Sequence, residues 1–278
     1  QIWHISLISL ILQECTASGT GAHWSIDNNL PASHTQSPTC AGAESSDAWF
    51  MLESMLVGQE VDMDIVIQRG QIKFLAIADN RPSEGPAELF MEAGGDQPSL
   101  LPTEQQDQLR VLAQKVISAF GEDLTGVVHF EAIVGPAGAA AVEVNLRLGG
   151  SEVLSMILAV YGVHLGIQAA KLACGIEIPF GSLNETPLAQ CRSINVLSTV
   201  SGTVQRAGVC ASAWGVKGAV GAQVRSAAGN KLLAPPYGFD YVGWAVGMGA
   251  CVGDVEGARA SVAELGSKLI CDVDPISL

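Results

Sequence analysis

The sequence predicts an α+β fold in which antiparallel sheets are flanked by helices, with a small β-rich C-terminal lobe. Two pairs of strand-like runs are each joined by a short glycine-containing turn, and one long amphipathic run separates the pairs. After Arg192 the chain is rich in short strand-like runs. Strands and helices do not alternate as a parallel βαβ fold requires, so we expect antiparallel sheets.

The first predicted hairpin comprises residues 61–68 and 71–79, joined by an Arg-Gly turn. Residues 48–58, just before it, predict an apolar strand that leads into a loop. Residues 80–102, just after it, contain many glycines and prolines and predict a long loop, which is often a functional segment.

The long amphipathic run predicts a surface helix that begins near Thr103 and stops at Gly121. Thr103 and Gln106 have the spacing of a capping box. Apolar residues then recur at helical spacing, at Leu109, Leu112, Val116 and Phe120. We therefore expect one apolar face along this helix.

The second predicted hairpin comprises residues 127–134 and 139–147, joined across a Gly-Pro-Ala-Gly turn. Two short apolar helices follow, from Ser151 to Tyr161 and from His164 to Cys174, with a break at Gly162. Both helices are apolar enough to lie against a sheet.

Three segments are predicted along the chain. Residues 1–48 have no sustained periodicity and no basic side chain, so they are expected to be poorly structured or not native to the fold. Residues 49–180 form the core, and residues 181–278 form the β-rich lobe, including a helix capped by Asp254. The first basic residue of the chain is Arg69, so the N-terminal lobe of the fold is expected to be incomplete.

Composition excludes several classes of protein. The formal net charge of −14 disfavours nucleic acid or an anionic membrane as a partner. No run of about 18 apolar residues is present, so no transmembrane helix is predicted. The 7 cysteines are scattered without a C-x-x-C pair, which indicates reduced thiols in a cytoplasmic protein and no zinc site. The oligomeric state is not predicted.

The second hairpin carries an unusual row of polar residues. Glu143, Asn145 and Arg147 occupy alternate positions and would share one strand face, while Val142, Val144 and Leu146 face the core. On the partner strand, alternation puts His129, Glu131 and Ile133 on one face. Carboxylate and amide oxygens at this spacing are ligands that Mg²⁺ prefers. Polar pairs on a solvated sheet face are the alternative interpretation.

The E-x-N-x-R motif at residues 143–147, followed by two glycines and preceded by Glu131, resembles the metal-binding core of the ATP-grasp ligases. Residues 50–64 resemble the hinge segment of that family, and residues 159–179 resemble its closing helix. Within the family, the resemblance is strongest to the amino-acid ligases of the carnosine synthase group and covers roughly residues 48–275.

The resemblance implies a set of site residues. It puts Mg²⁺ (or Mn²⁺) on Glu131, Glu143 and Asn145, and puts Arg147 on the acyl-phosphate and tetrahedral species as the catalytic cation. ATP would be held by Glu53, Met55 and Leu56 at the adenine hinge and by Glu60 at the ribose. The predicted substrate-binding residues are Gly149, Gly150, Ser151 and Glu152, although Ser151 is equally a candidate helix cap.

The implied activity is ATP-dependent joining of a carboxylate to an amine, giving a peptide-type bond between small-molecule amino acids with release of ADP and phosphate. The family's phosphate-binding lysines have no counterpart before Arg69. Two alternatives therefore stay open: a catalytically incomplete ATP- and metal-binding remnant, and an ATP-grasp ligase or carboxylase with another substrate pair.

Other polar residues are assigned no chemistry. His129 and His164 are isolated in the sequence and are interpreted as packed histidines. Asp62 and Asp64 share a strand face without visible partners and are interpreted as part of a solvated edge.

Overall fold

A computed structural model describes residues 55–82 and 91–276 of the chain. The described strands are β1 (Gln59–Gln68), β2 (Gln71–Asn80), β3 (Gly95–Gln97), β4 (Gly126–Gly135), β5 (Gly138–Asn145), β6 (Cys191–Leu197), β7 (Gly202–Val209), β8 (Ala219–Val224), β9 (Lys231–Leu232), β10 (Tyr241–Met248) and β11 (Leu269–Pro275). The described helices are α1 (Thr103–Phe120), α2 (Val153–Tyr161), α3 (Leu165–Ala173) and α4 (Val255–Gly266), with a 3₁₀ turn at Ala211–Gly215.

Eight strands form one sheet in the order β5-β4-β1-β2-β3-β6-β10-β8, and β11-β7-β9 form a second sheet. Every described strand pair is antiparallel. The predicted α+β class with antiparallel sheets and flanking helices is therefore confirmed.

One face of the large sheet packs against α1. Leu109, Ala113 and Ile117 of α1 are fully buried in a core with Met63 and Phe130 of the sheet. The predicted helix exists, but its capping box is wrong, because Pro102 occupies the N-cap and no side chain caps the helix. The amide of Gln106 instead donates to the Leu101 carbonyl over 2.8 Å.

The opposite face packs against α2 and α3, which share a core with β1, β2, β4, β6 and β10. Gly162 ends α2 in the left-handed conformation at φ 70°, as the predicted break requires. The expectation that Ser151 caps α2 is wrong, because Ser151 itself has a φ of 51° and the N-cap is Glu152. His164 is the N-cap of α3, and its Nδ1 accepts from the Ile167 amide.

The C-terminal part of the chain extends the same large sheet. Strand β3 pairs with both β2 and β6, and so joins β1–β5 to β6, β10 and β8. Helix α4 packs on β10 and begins at Asp254, whose side chain accepts from the Gly257 amide, as predicted. Everything described from Leu56 onward belongs to one compact unit, and the predicted boundary at residue 180 stays a prediction.

Some expectations fall on residues outside the described ranges: the segment 1–48, the ATP-binding residue Glu53 and most of the predicted strand 48–58. The described part of that predicted strand, residues 55–58, has no regular structure.

No single described helix is long and apolar enough to cross a membrane. Helices α2 and α3 meet that criterion only as a pair, and they are bent by 98° relative to each other.

Candidate functional site

Two rows of polar side chains cross β1, β4 and β5 on the face opposite α1. In that strand order, the carboxylate row is Asp62, Glu131 and Glu143, and the histidine row is Asp64, His129 and Asn145. Both β1 and β4 alternate polar and apolar residues, so their apolar side chains face α1 while the polar ones share the other face. The structure thus brings the predicted metal ligands Glu131, Glu143 and Asn145 together.

His129 lies among three carboxylates and is almost fully buried. Its Nδ1 is 3.1 Å from Oδ1 of Asp64, and its Nε2 is 3.9 Å from both Oδ2 of Asp62 and Oε1 of Glu131. Burial lowers the pKa of His129, but the hydrogen bond to Asp64 and the surrounding carboxylates outweigh it and raise the pKa to about 9. His129 is therefore an internal cation of the site, not an isolated packed histidine.

Asp62 is the most strongly perturbed carboxyl group of the rows. Burial raises its pKa to about 7, against the opposing effects of His129 and of a 3.0 Å hydrogen bond from the Asn80 amide. The interpretation of Asp62 and Asp64 as a solvated edge is wrong. The nonlocal pairing of β1 with β4 gives both of them a partner in His129.

Glu131 and Glu143 face each other across the β4–β5 hairpin. Burial raises the pKa of Glu131, and the charge of Glu143 raises it further. The Asn145 amide donates to Oε1 of Glu131 over 3.4 Å. Two like-charged carboxylates beside an amide oxygen form a hard oxygen donor set that suits Mg²⁺. Within the described ranges, no three His, Cys, Asp or Glu side chains are arranged to hold a metal by themselves.

Arg147 does not continue the row as a strand residue. Strand β5 ends at Asn145, and Arg147 lies in the following bend, where its guanidinium donates to the Leu148 carbonyl over 3.0 Å. The expectation that Val142, Val144 and Leu146 face the core is also partly wrong, because Val142 and Leu146 are 50% and 60% exposed. Val142 is the extra residue of a bulge and Leu146 lies beyond the strand end, so neither follows the alternation.

Gly149 passes directly beside the histidine row. A Cβ there would lie 2.7 Å from Val153 Cγ1, 2.9 Å from Asp64 Oδ1 and 3.0 Å from His129 Nδ1. Gly150, by contrast, faces open space within the described structure. The chain packs closely against His129 at Gly149, and this packing requires a glycine there. From the sequence alone, Gly149 was predicted to lie close to a substrate.

Glu152 is a buried carboxylate at the start of α2, and exposed Ser151 precedes it. The Asn195 amide donates to its Oε1 over 3.1 Å, and burial raises the pKa of Glu152. The Glu152 side chain forms no capping hydrogen bond with α2.

The predicted nucleotide hinge immediately precedes β1. Met55 and Leu56 are exposed apolar residues, and Glu60 lies on the same strand face as Asp62. Glu60 also acts on the site electrostatically, since its charge contributes to the raised pKa of Glu131. At Gly58 the backbone passes so close to β4 that a Cβ there would lie 2.3 Å from the Val134 carbonyl oxygen.

Asp62, Asp64, His129 and Asn80 are the site residues that sequence reasoning missed. The signal that could have found them is the D-x-D spacing of β1 beside the H-x-E spacing of β4. Two such strands, if adjacent, bring four ionisable groups onto one face.

No family model matches the chain. Carnosine synthase 1 of Gallus gallus is 32% identical over 167 residues, which is 60% of this chain and 18% of that protein. Carnosine synthase 1 of Homo sapiens is 31% identical over 155 residues, 56% of this chain and 18% of that protein. The chain thus matches about a fifth of the length of these curated relatives.

Solved structures share the fold at low sequence identity. The L-amino acid ligase from Bacillus licheniformis matches 78% of this chain and 54% of its own, with a TM-score of 0.62 and 20% identity. Phosphoribosylglycinamide synthetase from Anaerococcus prevotii matches 79% and 55%, with a TM-score of 0.64 and 11% identity. Biotin carboxylase from Campylobacter jejuni matches 80% and 48%, with a TM-score of 0.60 and 16% identity. At these identities the likeness is one of fold alone.

Proposed function

We propose that the chain is an ATP-dependent carboxylate–amine ligase that joins amino acids. The chain has the fold of the ATP-grasp ligases and carboxylases and is homologous to part of carnosine synthase 1. The reaction would activate a carboxylate as an acyl-phosphate, which an amino group then attacks to form a peptide-type bond. ADP and phosphate are the other products. The observation that carries the proposal is the carboxylate row with Asn145 beside it.

Glu131, Glu143 and Asn145 would hold Mg²⁺ (or Mn²⁺). Burial raises the pKa of Glu131 most, and repulsion by the facing Glu143 raises it further; this repulsion favours a cation between the two carboxylates. When bound, the cation supplies charge neutralisation to phosphate oxygens. His129 lies beside Glu131, with its Nε2 3.9 Å from Oε1, and its charge favours the ionised form of that carboxylate.

Arg147 would contact the transferring phosphoryl group. It is exposed directly after the strand that carries Glu143 and Asn145, and a guanidinium offers several donors in a planar fork that fits phosphate. Glu53, Met55 and Leu56 would contact the adenine, and Glu60 the ribose.

Amino-acid-dependent ADP release tests this function. The purified chain is assayed with ATP, Mg²⁺ and a mixture of amino acids, and we expect turnover that requires the amino acids. Glu143→Ala should reduce the rate by about tenfold or more and weaken Mn²⁺ binding measured by electron paramagnetic resonance. Glu264→Ala, which removes an exposed carboxylate on α4, is the matched control. Full activity in Glu143→Ala would contradict the metal assignment.

A second candidate function is binding of ATP and metal without turnover. The observation that favours it is the charge distribution, since residues 1–68 contain no lysine or arginine to contact phosphates. Saturable ATP and Mg²⁺ binding with no ADP release for any amino acid would support it.

A ligase or carboxylase with another substrate pair is the third candidate. It is favoured by the shared fold with a phosphoribosylglycinamide synthetase and a biotin carboxylase. ADP release that depends on a non-amino-acid substrate would support this candidate instead.

A further inference from the structure

The second sheet, β11-β7-β9, has one buried face and one exposed face. Val204 of β7 and Leu232 of β9 are 1% and 4% exposed and form a core with Val242 of the large sheet. Because side chains alternate along a strand, the neighbouring residues Thr203 and Lys231 lie on the opposite face of the sheet. That second face carries no buried apolar core within the described structure.

Two rows of side chains cross the exposed face. Asp274 of β11 pairs with Thr203 of β7, and Thr203 pairs with Lys231 of β9. This row therefore has an acid at one edge of the sheet and a base at the other. The adjacent row has Ile276 and Leu233 at the same two edges, because each lies two residues beyond the charged residue of its strand.

The apolar row continues into an exposed loop between β9 and β10. The loop is closed at its base, where the amide of Leu233 donates to Oδ2 of Asp240 over 2.7 Å. It folds over Leu233, since a Cβ at Gly238 would overlap the Leu233 side chain. Tyr237 and Phe239 flank this contact and are 63% and 41% exposed. Two aromatic rings thus lie beside the apolar row.

Ser201 ties the loop to the ends of β7 and β11. Its hydroxyl accepts from the Ala234 amide over 2.9 Å, and its carbonyl accepts from the Ile276 amide over 3.1 Å. Val200, just before it, and Ile276 are 39% and 43% exposed. Such a group of large apolar side chains on a surface is typical of an interaction site. We call the group the Leu233 patch, and its members are Val200, Leu233, Tyr237, Phe239 and Ile276.

The two charges beside the Leu233 patch have no ion-pair partner in the described part of the molecule. Asp274 and Lys231 are exposed and lie two strands apart, about 10 Å, which is too far for them to pair with each other. Neither forms an ion pair within 4.0 Å among the described residues. Arg206 and Asp272 of the same sheet, by contrast, are paired over 2.8 Å.

These positions are complementary to themselves under a two-fold rotation. An axis that runs along β7, in the plane of the exposed face, exchanges the positions of β9 and β11. Asp274 of one molecule then faces Lys231 of the other, and the reverse pair forms at the opposite edge. In the adjacent row, Ile276 and Leu233 of the two molecules meet in the same way.

We propose that the exposed face of the second sheet binds a second copy of this chain in a two-fold symmetric dimer. The Leu233 patch would supply the apolar contacts, and the two reciprocal pairs of Asp274 with Lys231 would form a polar rim. The net charge of −14 opposes nonspecific self-association, so the matched charges select this one arrangement. The inference goes beyond the ligase reaction, because it uses no residue of the carboxylate or histidine row.

Sedimentation velocity of the full chain, without nucleotide or metal, tests the dimer. We expect a monomer–dimer equilibrium between roughly 1 and 100 µM. Lys231→Asp and Asp274→Lys each place like charges opposite each other in both rim pairs, and each should weaken the dimer about tenfold or more. Reversal is used because removal of one charge from a solvent-exposed pair changes little. Lys115→Asp, which reverses an exposed charge on α1, is the matched control.

A mixture of the two single variants separates contact between molecules from damage within one. In a mixed dimer, each rim pair again joins an acid to a base. The mixture of Lys231→Asp with Asp274→Lys should therefore associate as strongly as the parent, although neither variant does so alone. Tyr237→Ser, which changes only an exposed loop, should weaken the parent dimer and the mixed dimer alike. Circular dichroism verifies that each variant is folded.

A parent chain that stays monomeric over the whole concentration range overturns the inference. A mixture that does not associate, or a Lys231→Asp variant that dimerises like the parent, overturns it as well. If the face instead binds a different protein or is covered by another part of the chain, the purified parent sediments as a monomer, so this assay counts either occupant against the second copy.

Discussion

At the scale of single residues, His129 connects the two polar rows. It contacts Asp64 closely and lies 3.9 Å from carboxylate oxygens of Asp62 and Glu131, so one imidazolium interacts favourably with three acidic side chains. Removing one partner from such a buried arrangement is costly, because an ion in the interior then lacks its counter-charge.

Replacing Asp64 should therefore be strongly destabilising. Asp64→Ala leaves His129 buried without its hydrogen-bonded partner, and we expect the free energy of unfolding to fall by about 3 kcal/mol. Urea denaturation followed by circular dichroism measures the change. Asp274→Ala, at an exposed position of β11, should stay within about 0.5 kcal/mol of the parent. Equal stability of the two variants would refute the buried pair.

Two adjacent glycines give a matched comparison at the same place. Gly149→Ala puts a Cβ within 3.0 Å of Val153, Asp64 and His129, and should cost about 1–3 kcal/mol of unfolding free energy. Gly150→Ala meets nothing within 4 Å and should be close to neutral. Similar melting temperatures for the two variants would show that the chain does not approach His129 so closely.

At the scale of elements, α4 shows how one cap positions a helix on the sheet. Asp254 accepts from the amides of Gly257 and Ala250, over 3.0 and 2.7 Å, and α4 packs on β10 through Val262 and Leu265. These backbone donors hold the pKa of Asp254 below its usual value. The charged form therefore stabilises the fold.

The contribution of this cap should depend on pH. A carboxyl group whose pKa is lowered by folding contributes stability above its unfolded pKa of 3.8 and loses it as the pH falls through the lower folded value. The melting temperature of Asp254→Ala should thus lie below that of the parent at pH 7, and the gap should close in strong acid. Asp254→Asn, which keeps the cap without the charge, should show a smaller gap at pH 7.

At the scale of the whole molecule, the large sheet depends on the joint between β3 and β6. Asp96 and Arg192 face each other there and form a bidentate ion pair, with both N–O distances 2.7 Å. Because Asp96 is buried, the pair holds together two parts of the sheet that are distant in sequence.

Arg192→Met should lower the stability of the entire unit by about 3 kcal/mol, because Asp96 stays buried without a counter-charge. Denaturant unfolding should remain a single transition. Adding Asp96→Leu to Arg192→Met should restore much of the loss, since no buried charge is then left unpaired. Failure of the double variant to recover would contradict this account.

The local sequence pattern predicted much of the fold. Pairing between strands that are distant in sequence explains most of the features that the pattern did not predict. Alternation and turn residues predicted β1, β2, β4, and the glycine that ends α2. The partnership of Asp62 and Asp64 with His129 was missed, because β1 and β4 are far apart in sequence and their adjacency has no local signal. The end of β5 at Asn145 was also missed, because polar and apolar residues continue to alternate in the sequence as far as Arg147.

The bulge at Val142 has a consequence for association between molecules. Strand β5 is one of the two edge strands of the large sheet in the described part of the chain, and a regular edge strand is a template on which another chain can add. The distorted backbone at Val142 and the charge of Glu143 both oppose such addition. The same strand that offers ligands to a cation is thereby protected against aggregation.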